Sequence, residues 1–120
     1  MYYEDPFYKS SKWLSLRESI LRRDKYMCQM SKRYGKFLQA EIVHHIFPRD
    51  EFPGYEYDPW NLISLTIAEH NKLHDRNTNE LTERGIELLR RTALKNNIPI
   101  PEQYTNTEKR QYKHEIRRFY

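Results

Sequence analysis

His44, His45, Asn61, His70 and His74 fall within thirty-one positions of one another, and their types and spacing suit metal-assisted hydrolysis. His70 and His74 are four apart, in a stretch (66–76) free of Gly and Pro. A helix over 66–75 would project both imidazoles from one face, one turn apart. Two imidazoles so placed can share a metal ion and leave room for a third protein ligand and a substrate. The adjacent pair His44 and His45 can supply that third ligand and also a general base. Neighbours in an extended strand point to opposite sides, so one can face the metal and the other an attacking water. A single histidine in a domain is usually a surface or core residue. Four of the chain's five histidines in so short a span, two of them at i and i+4, are harder to read that way. His114, in a basic tail, reads as a surface residue.

Those residues need elements to hold them. The span 37–46 reads as a strand carrying His44 and His45 near its end. Pro48, Pro53, Gly54 and Pro59 mark a loop. The span 60–65, with Trp60, Leu62, Ile63 and Leu65, reads as a second strand, followed by the helix that starts at Thr66. An antiparallel hairpin packed on that helix is expected, which is an α+β arrangement. Upstream, Ser11 is positioned to cap a helix over 12–23 with Trp13, Leu16, Ile20 and Leu21 as its apolar stripe. The span 24–35 reads as a turn-rich connection. Downstream, 81–95 reads as a helix with Ile86, Leu89 and Ala93 inward and Gly85 tolerated. The span 107–118 reads as a last basic helix or a partly disordered tail.

Composition sets bounds on this arrangement. A chain of 120 residues makes one domain, and 38% hydrophobic against 32% charged residues leaves a small core. Small domains are marginally stabilised by burial and often need a metal or another staple. Ten Tyr, five Phe and two Trp are expected to carry much of the packing, Tyr55 and Tyr57 included. The single Cys28 excludes an intramolecular disulfide and points to a reducing, cytoplasmic setting. No signal peptide is evident, and no apolar run approaches the ~20 residues of a membrane span, so a soluble protein without membrane contact is expected.

The formal net charge of +4 is unevenly spread. Residues 1–40 carry nine Lys/Arg and four Asp/Glu, residues 41–80 three and eight, and residues 81–120 nine and five. An acidic, His-rich middle between basic arms suits a cation site flanked by surfaces that grip a polyanion. Simple solvation of basic helices is the competing reading.

Taken together, Val43-His44-His45-Ile46, Asn61 within Trp60-Asn61-Leu62-Ile63-Ser64-Leu65, and His70-Asn71-Lys72-Leu73-His74 resemble the HNH nucleases, also called His-Me finger or ββα-metal nucleases. The stretch WLSLRESILRRDKYMC at 13–28 is similar to the segment leading into this motif in small phage-type members. The resemblance covers roughly 7–78. It implies a ββα-metal core at about 37–78 within a single 1–120 domain, with a basic N-terminal helix at about 12–23 and a basic extension at about 80–120. It implies His45 as general base, with Asn61 tying the loop to the strand and holding that base. It also implies His44, His70 and His74 as ligands of one divalent ion, zinc, nickel, manganese or magnesium. The implied reaction is hydrolysis of DNA phosphodiester bonds, by nicking or double-strand cleavage, leaving 3′-hydroxyl and 5′-phosphate ends. Lys12, Arg17, Arg22, Arg23, Lys109 and Arg110 are then expected on the DNA backbone, with Arg49 and Arg76 nearest the phosphate. Contacts of this kind carry no base code, so low sequence specificity is expected. A phage or prophage origin, the cytoplasm of a bacterial or infected host, cooperation with phage packaging proteins, and a monomeric or homodimeric state follow from the resemblance alone.

One departure stands out. Many small relatives hold a structural zinc with two Cys-x-x-Cys pairs. Here the first pair reads Cys28-Gln29-Met30-Ser31, and the second would fall at Thr66 and Glu69. A four-Cys zinc site is therefore not expected, and Cys28 reads as a buried remnant. The missing thiols leave open a catalytically silent nucleic-acid-binding protein, or accessory subunit, that keeps the fold. A structural zinc module built on three histidines and a fourth ligand is a further alternative.

Overall fold

The computed structural model describes residues 5–105. The expectations for Lys109, Arg110, His114 and a terminal helix lie outside the described residues. Six regular elements follow in order: α1 (Ser11–Arg23), α2 (Gln29–Arg33), β1 (Ile42–His45), β2 (Leu62–Leu65), α3 (Ile67–Asn71) and α4 (Glu83–Lys95). The expected α+β core is present. β1 and β2 form a two-stranded antiparallel hairpin in which Ile42 faces Leu65, Val43 faces Ser64, His44 faces Ile63 and His45 faces Leu62. No helix among the described residues is long and apolar enough to cross a membrane.

Residue alternation splits the hairpin into two working faces. Val43 and Leu62 face α1 and bury Trp13, Ile20, Leu21 and Ala40. Ile63 and Leu65 face the other way, into the larger cluster with Phe47, Leu73, Ile86 and Leu89. The same alternation sends the His45 ring onto Trp13 of α1 and the His44 ring toward α3.

Several boundaries depart from the sequence expectation, each for a local reason. Ser10, not Ser11, caps α1, accepting from Trp13 N at 3.2 Å. The connection 24–35 contains α2, which buries Met30 and Ser31. The first strand begins only at Ile42, because the residues before it pair elsewhere: Cys28 N donates to Leu38 O and Ala40 N to Tyr26 O, both at 2.8 Å. The second strand begins at Leu62, since Pro59–Asn61 form a 3₁₀ turn. Asn61 O still accepts from Ile46 N at 2.8 Å, so Asn61 sits where the loop closes on the hairpin.

The largest departure concerns α3, which ends at Asn71 rather than at 75. Thr82 captures the chain beyond it. Its Oγ1 donates to Lys72 O at 2.6 Å and its N–H to Leu73 O at 2.9 Å. Leu73 is fully buried, and His74 pairs with Leu81 in an antiparallel bridge. His74 therefore stands on a turn clamped by the start of α4 and not on the helix that carries His70.

Cys28 is buried at the junction of α2 and α3, as expected. Ser31 Oγ donates to Cys28 Sγ at 3.2 Å, and Cys28 Sγ lies 3.8 Å from Thr66 Oγ1. Thr66 Oγ1 caps α3 through Glu69 N, and Glu69 pairs with Lys72 at 2.9 Å and with Arg84 at 3.7 Å. This polar chain stitches α2, α3 and α4 together. Burial pushes the Cys28 thiol up, but the Ser31 and Thr66 hydrogen bonds outweigh it and hold the thiol below its ordinary value.

The outer edge of β2 is closed by the end of α1. Arg23 Nη2 donates to Leu62 O at 2.7 Å, and Asp24 Oδ2 accepts from Ser64 N at 3.1 Å. The two side chains pair at 2.9 Å and so satisfy strand groups that would otherwise template association. Asp24→Ala orphans the Ser64 N–H and one partner of Arg23, and should cost about 1–3 kcal/mol. Urea unfolding measures it; a loss below about 0.5 kcal/mol, as at an ordinary surface position, would contradict this role.

Candidate metal centre and active-site cleft

The hairpin, α3 and the turn after it bring three imidazoles to one point. One ring nitrogen each of His44, His70 and His74 lies within 4.8 Å of the others, a spacing that one metal ion can bridge. The ring centroids are 5.1–5.2 Å apart in all three pairs. His44 is 2% exposed, and its Nε2 is buried without a hydrogen-bond partner. A buried donor or acceptor left unpaired is costly, and a cation at the cluster would satisfy it. The donor set of three neutral imidazoles fits a divalent transition metal. His74 Nδ1 lies 3.4 Å from Asn79 O. A carbonyl only accepts, so Nδ1 carries the proton and Nε2 keeps its lone pair, the orientation a ligand histidine needs. Asn79 presents that carbonyl from a left-handed conformation, φ 62°, which asparagine tolerates well.

All three rings are held below their ordinary values. Burial, then His70, His74 and His45, keeps His44 well below 6.5. Burial and then His74 push His70 down to about 4, against an Asn71 hydrogen bond. Burial lowers His74 despite the Asn79 carbonyl and Asp50. All three are therefore neutral at pH 7 and can donate lone pairs. The metal-free protein should consequently lose stability as pH falls. Below about 6.5 the unfolded histidines take protons that the folded ones refuse, and the loss continues until the folded pKa values are passed, near 4 for His70. Thermal melts in EDTA should show Tm falling from pH 7 to pH 5; a flat Tm over that window would contradict the burial of these rings.

His45 stands beside this cluster but faces away from it. Its ring stacks on Trp13 at 4.9 Å and 23°, with Phe7 and Tyr8 at 5.7 and 6.1 Å. Its Nε2 lies 3.0 Å from Glu56 O. By the same logic Nε2 carries the proton, and Nδ1 is left as the acceptor. Burial lowers the His45 pKa more than the Glu56 carbonyl raises it, so the ring is neutral.

Asn61 is fully buried, and its amide serves the backbone of the loop. Its Oδ1 accepts from Phe47 N at 2.7 Å, and its Nδ2 donates to Phe47 O and Tyr55 O, both at 3.2 Å. It thereby fixes the residue before Glu56, whose carbonyl holds His45. Phe47 packs edge-on against Phe52, Tyr55 and Trp60, and Tyr55 stacks on Phe52, so Tyr55 is packing, while Tyr57 lies against Phe7 and under Lys12.

The residues offered for phosphate contact separate in the structure. Arg49 and Arg76 both line the cleft, about 660 Å³, that contains His44, His45, His70 and His74. Arg76 is exposed. Arg49 is tethered: it pairs with Asp5 and with Glu56 and lies over the Phe7 ring at 4.2 Å. Lys12 lies 3.8 Å above Tyr57 and Arg22 pairs loosely with Glu18, both exposed, while the half-buried Arg17 donates to Glu41 O. Arg23 is committed to the β2 edge and to Pro59 O. The Glu56 and Asn79 carbonyls and the Phe7–Tyr8 arm were not read from the sequence. A backbone carbonyl has no residue signature, and the arm's aromatics gave no periodic pattern.

A hairpin and short helix converging on histidines define a ββα-metal core. Among solved structures, the chain is similar to the HNH endonuclease of deep-sea thermophilic bacteriophage GVE2, determined with manganese ion. The identity is 38% and the TM-score 0.54, over 55% of this chain and 72% of that one. No protein-family model matches the chain, and no curated protein matches it. The relationship places this chain in the HNH endonuclease family.

Proposed function

We propose that the protein is a metal-dependent endonuclease hydrolysing DNA phosphodiester bonds with little sequence preference. One observation carries the reading: three neutral imidazoles converge beside a fourth whose Nε2 is held by the Glu56 carbonyl, which leaves its Nδ1 as an acceptor. His44, His70 and His74 would hold the ion. When bound there, a divalent ion supplies Lewis acidity at a phosphate oxygen and at the departing 3′ oxygen.

His45 Nδ1 accepts the proton of the water that attacks phosphorus, and the Nε2–H bond to Glu56 O stabilises the resulting imidazolium. Trp13 fixes the plane of the ring. Asn61 acts through the backbone of Phe47 and Tyr55 as a positioning residue. Arg76, exposed at the cleft rim, is the cation best placed to meet a flanking phosphate. The similarity to a phage enzyme supports a phage or prophage origin.

Supercoiled plasmid incubated with EDTA, Mg²⁺, Mn²⁺, Ni²⁺ or Zn²⁺ tests the proposal. Nicks or linear DNA should appear only with an ion, and DNA ligase should reseal the nicks, as 3′-hydroxyl and 5′-phosphate ends require. Cleavage in EDTA would overturn the metal role. A folded protein that shifts DNA in a gel yet cuts with no ion would be a silent binder instead.

A further inference from the structure

Among the described residues, positive charge is not concentrated at the cleft. The cleft is lined by Arg49 and Arg76 but also by Asp5, Asp50 and Glu51, a net of −1, and Arg49 is paired internally. Leu62 and Ile63 of β2 help line a groove between α2 and α4, formed of two adjoining hollows of about 640 and 240 Å³ that share Arg33, Leu88 and Arg91. Its walls carry Arg23, Lys32, Arg33, Arg84, Arg91 and Lys95 against Asp24 and Glu87. That net of +4 exceeds the net of +2 that residues 5–105 carry as a whole, sixteen Lys/Arg against fourteen Asp/Glu.

The two carboxylates are already engaged, Asp24 by Arg23 at 2.9 Å and Glu87 by Arg91 at 2.6 Å. Lys32, Arg33 and Lys95 are exposed and have no carboxylate partner among the described residues. On α4, Arg84, Arg91 and Lys95 recur at i, i+7 and i+11, along one side of the helix. They span about 16 Å at 1.5 Å per residue. Facing cations across a groove repel one another, and a polyanion relieves that repulsion by releasing its own counterions. A duplex lying along 16 Å presents about nine phosphate charges, both strands counted, a density that an acidic protein surface seldom matches.

We propose that the α2–α4 groove is a second nucleic-acid-backbone site, which holds a duplex segment away from the scissile strand. The assignment rests on DNA being the substrate. The cleft engages one phosphate, and the groove supplies the non-specific retention that the cleft's own charge does not.

The test uses the triple variant Lys32→Gln, Arg33→Gln, Lys95→Gln in a His45→Ala background with EDTA, so that DNA stays uncut. Binding of a 40-bp and an 8-bp duplex is followed by fluorescence anisotropy across NaCl concentrations. The slope of log K against log salt for the 40-bp duplex should fall by about 2–3, as expected for three lost contacts at about 0.9 each. Affinity for it should drop at least about tenfold, with the 8-bp duplex little changed. An unchanged slope would overturn the proposal and point to an acidic protein as the groove's partner. Equal losses on both duplexes would place these cations at the cleft and also overturn it. Should the triple variant melt early, the double variant Lys32→Gln, Lys95→Gln gives the same readings with about two-thirds of the slope change. Because binding is read without cleavage, failure of the nuclease assay would sink the enzyme reading and leave this measurement standing.

Discussion

His45→Ala should slow phosphodiester hydrolysis by about 10²–10⁴-fold, the range that loss of a positioned general base commands, while leaving metal affinity unchanged. The separation of the two effects follows from the strand. His44 and His45 are neighbours in β1, so their rings leave opposite faces. The His44 ring meets His70 and His74, whereas His45 lies between Trp13 and the Glu56 carbonyl. Removing the His45 ring takes away the proton acceptor and touches none of the three converging nitrogens. Single-turnover cleavage and Mn²⁺ titration, run on the same preparation, check both halves. A variant that keeps a tenth or more of wild-type turnover would show that another group takes the proton.

Gly85→Ala should be the most damaging single-methyl change in the described region. In an open helix this replacement gains up to about 1 kcal/mol. Here a Cβ would lie 2.5 Å from the Leu73 carbonyl oxygen and 3.0 Å from Leu81 Cδ2. The backbone torsion at Gly85 is ordinary, so close approach is what demands glycine. The Leu73 carbonyl cannot retreat freely, because it accepts from Thr82 N and belongs to a fully buried residue. Overpacking of this kind commonly costs 1–3 kcal/mol, and a clash with backbone falls at the upper end, so a net loss of about 2–3 kcal/mol is expected. His74 is the next residue, so the displaced turn should also weaken metal binding. Urea unfolding and Mn²⁺ titration measure the two losses. Equal or greater stability would contradict the contact.

The convergence of His44, His70 and His74 was legible because the residue types are rare and their spacing suits a strand followed by a helix. What misled was the helix: i and i+4 spacing suggested one face of α3, yet His74 reaches the cluster from a turn. Thr82, eight residues on, decides that by hydrogen-bonding Lys72 and Leu73, and no local pattern announces so distant a partner. Gly85 looked merely tolerated for the same reason, since its neighbour Leu73 is twelve positions away. Arg23 illustrates the limit for charges. From the sequence it is another cation on a basic helix, but the short reach from α1 to β2 gives its guanidinium to Pro59 and Leu62. The expectation that Asn61 ties the loop to the strand came from the family resemblance, and its amide does bond the backbone of Phe47 and Tyr55.

The central claim is that the three converging imidazoles hold the ion that hydrolysis needs. Its most direct test is the initial rate of plasmid nicking measured against Mn²⁺ concentration for the wild-type chain and for His44→Ala. Saturable, single-site activation of the wild type is expected. In a variant that still folds, the curve should be displaced at least about 100-fold, or abolished, since the buried His44 Nε2 is the donor from the strand. Activation of His44→Ala at the wild-type Mn²⁺ concentration would contradict it.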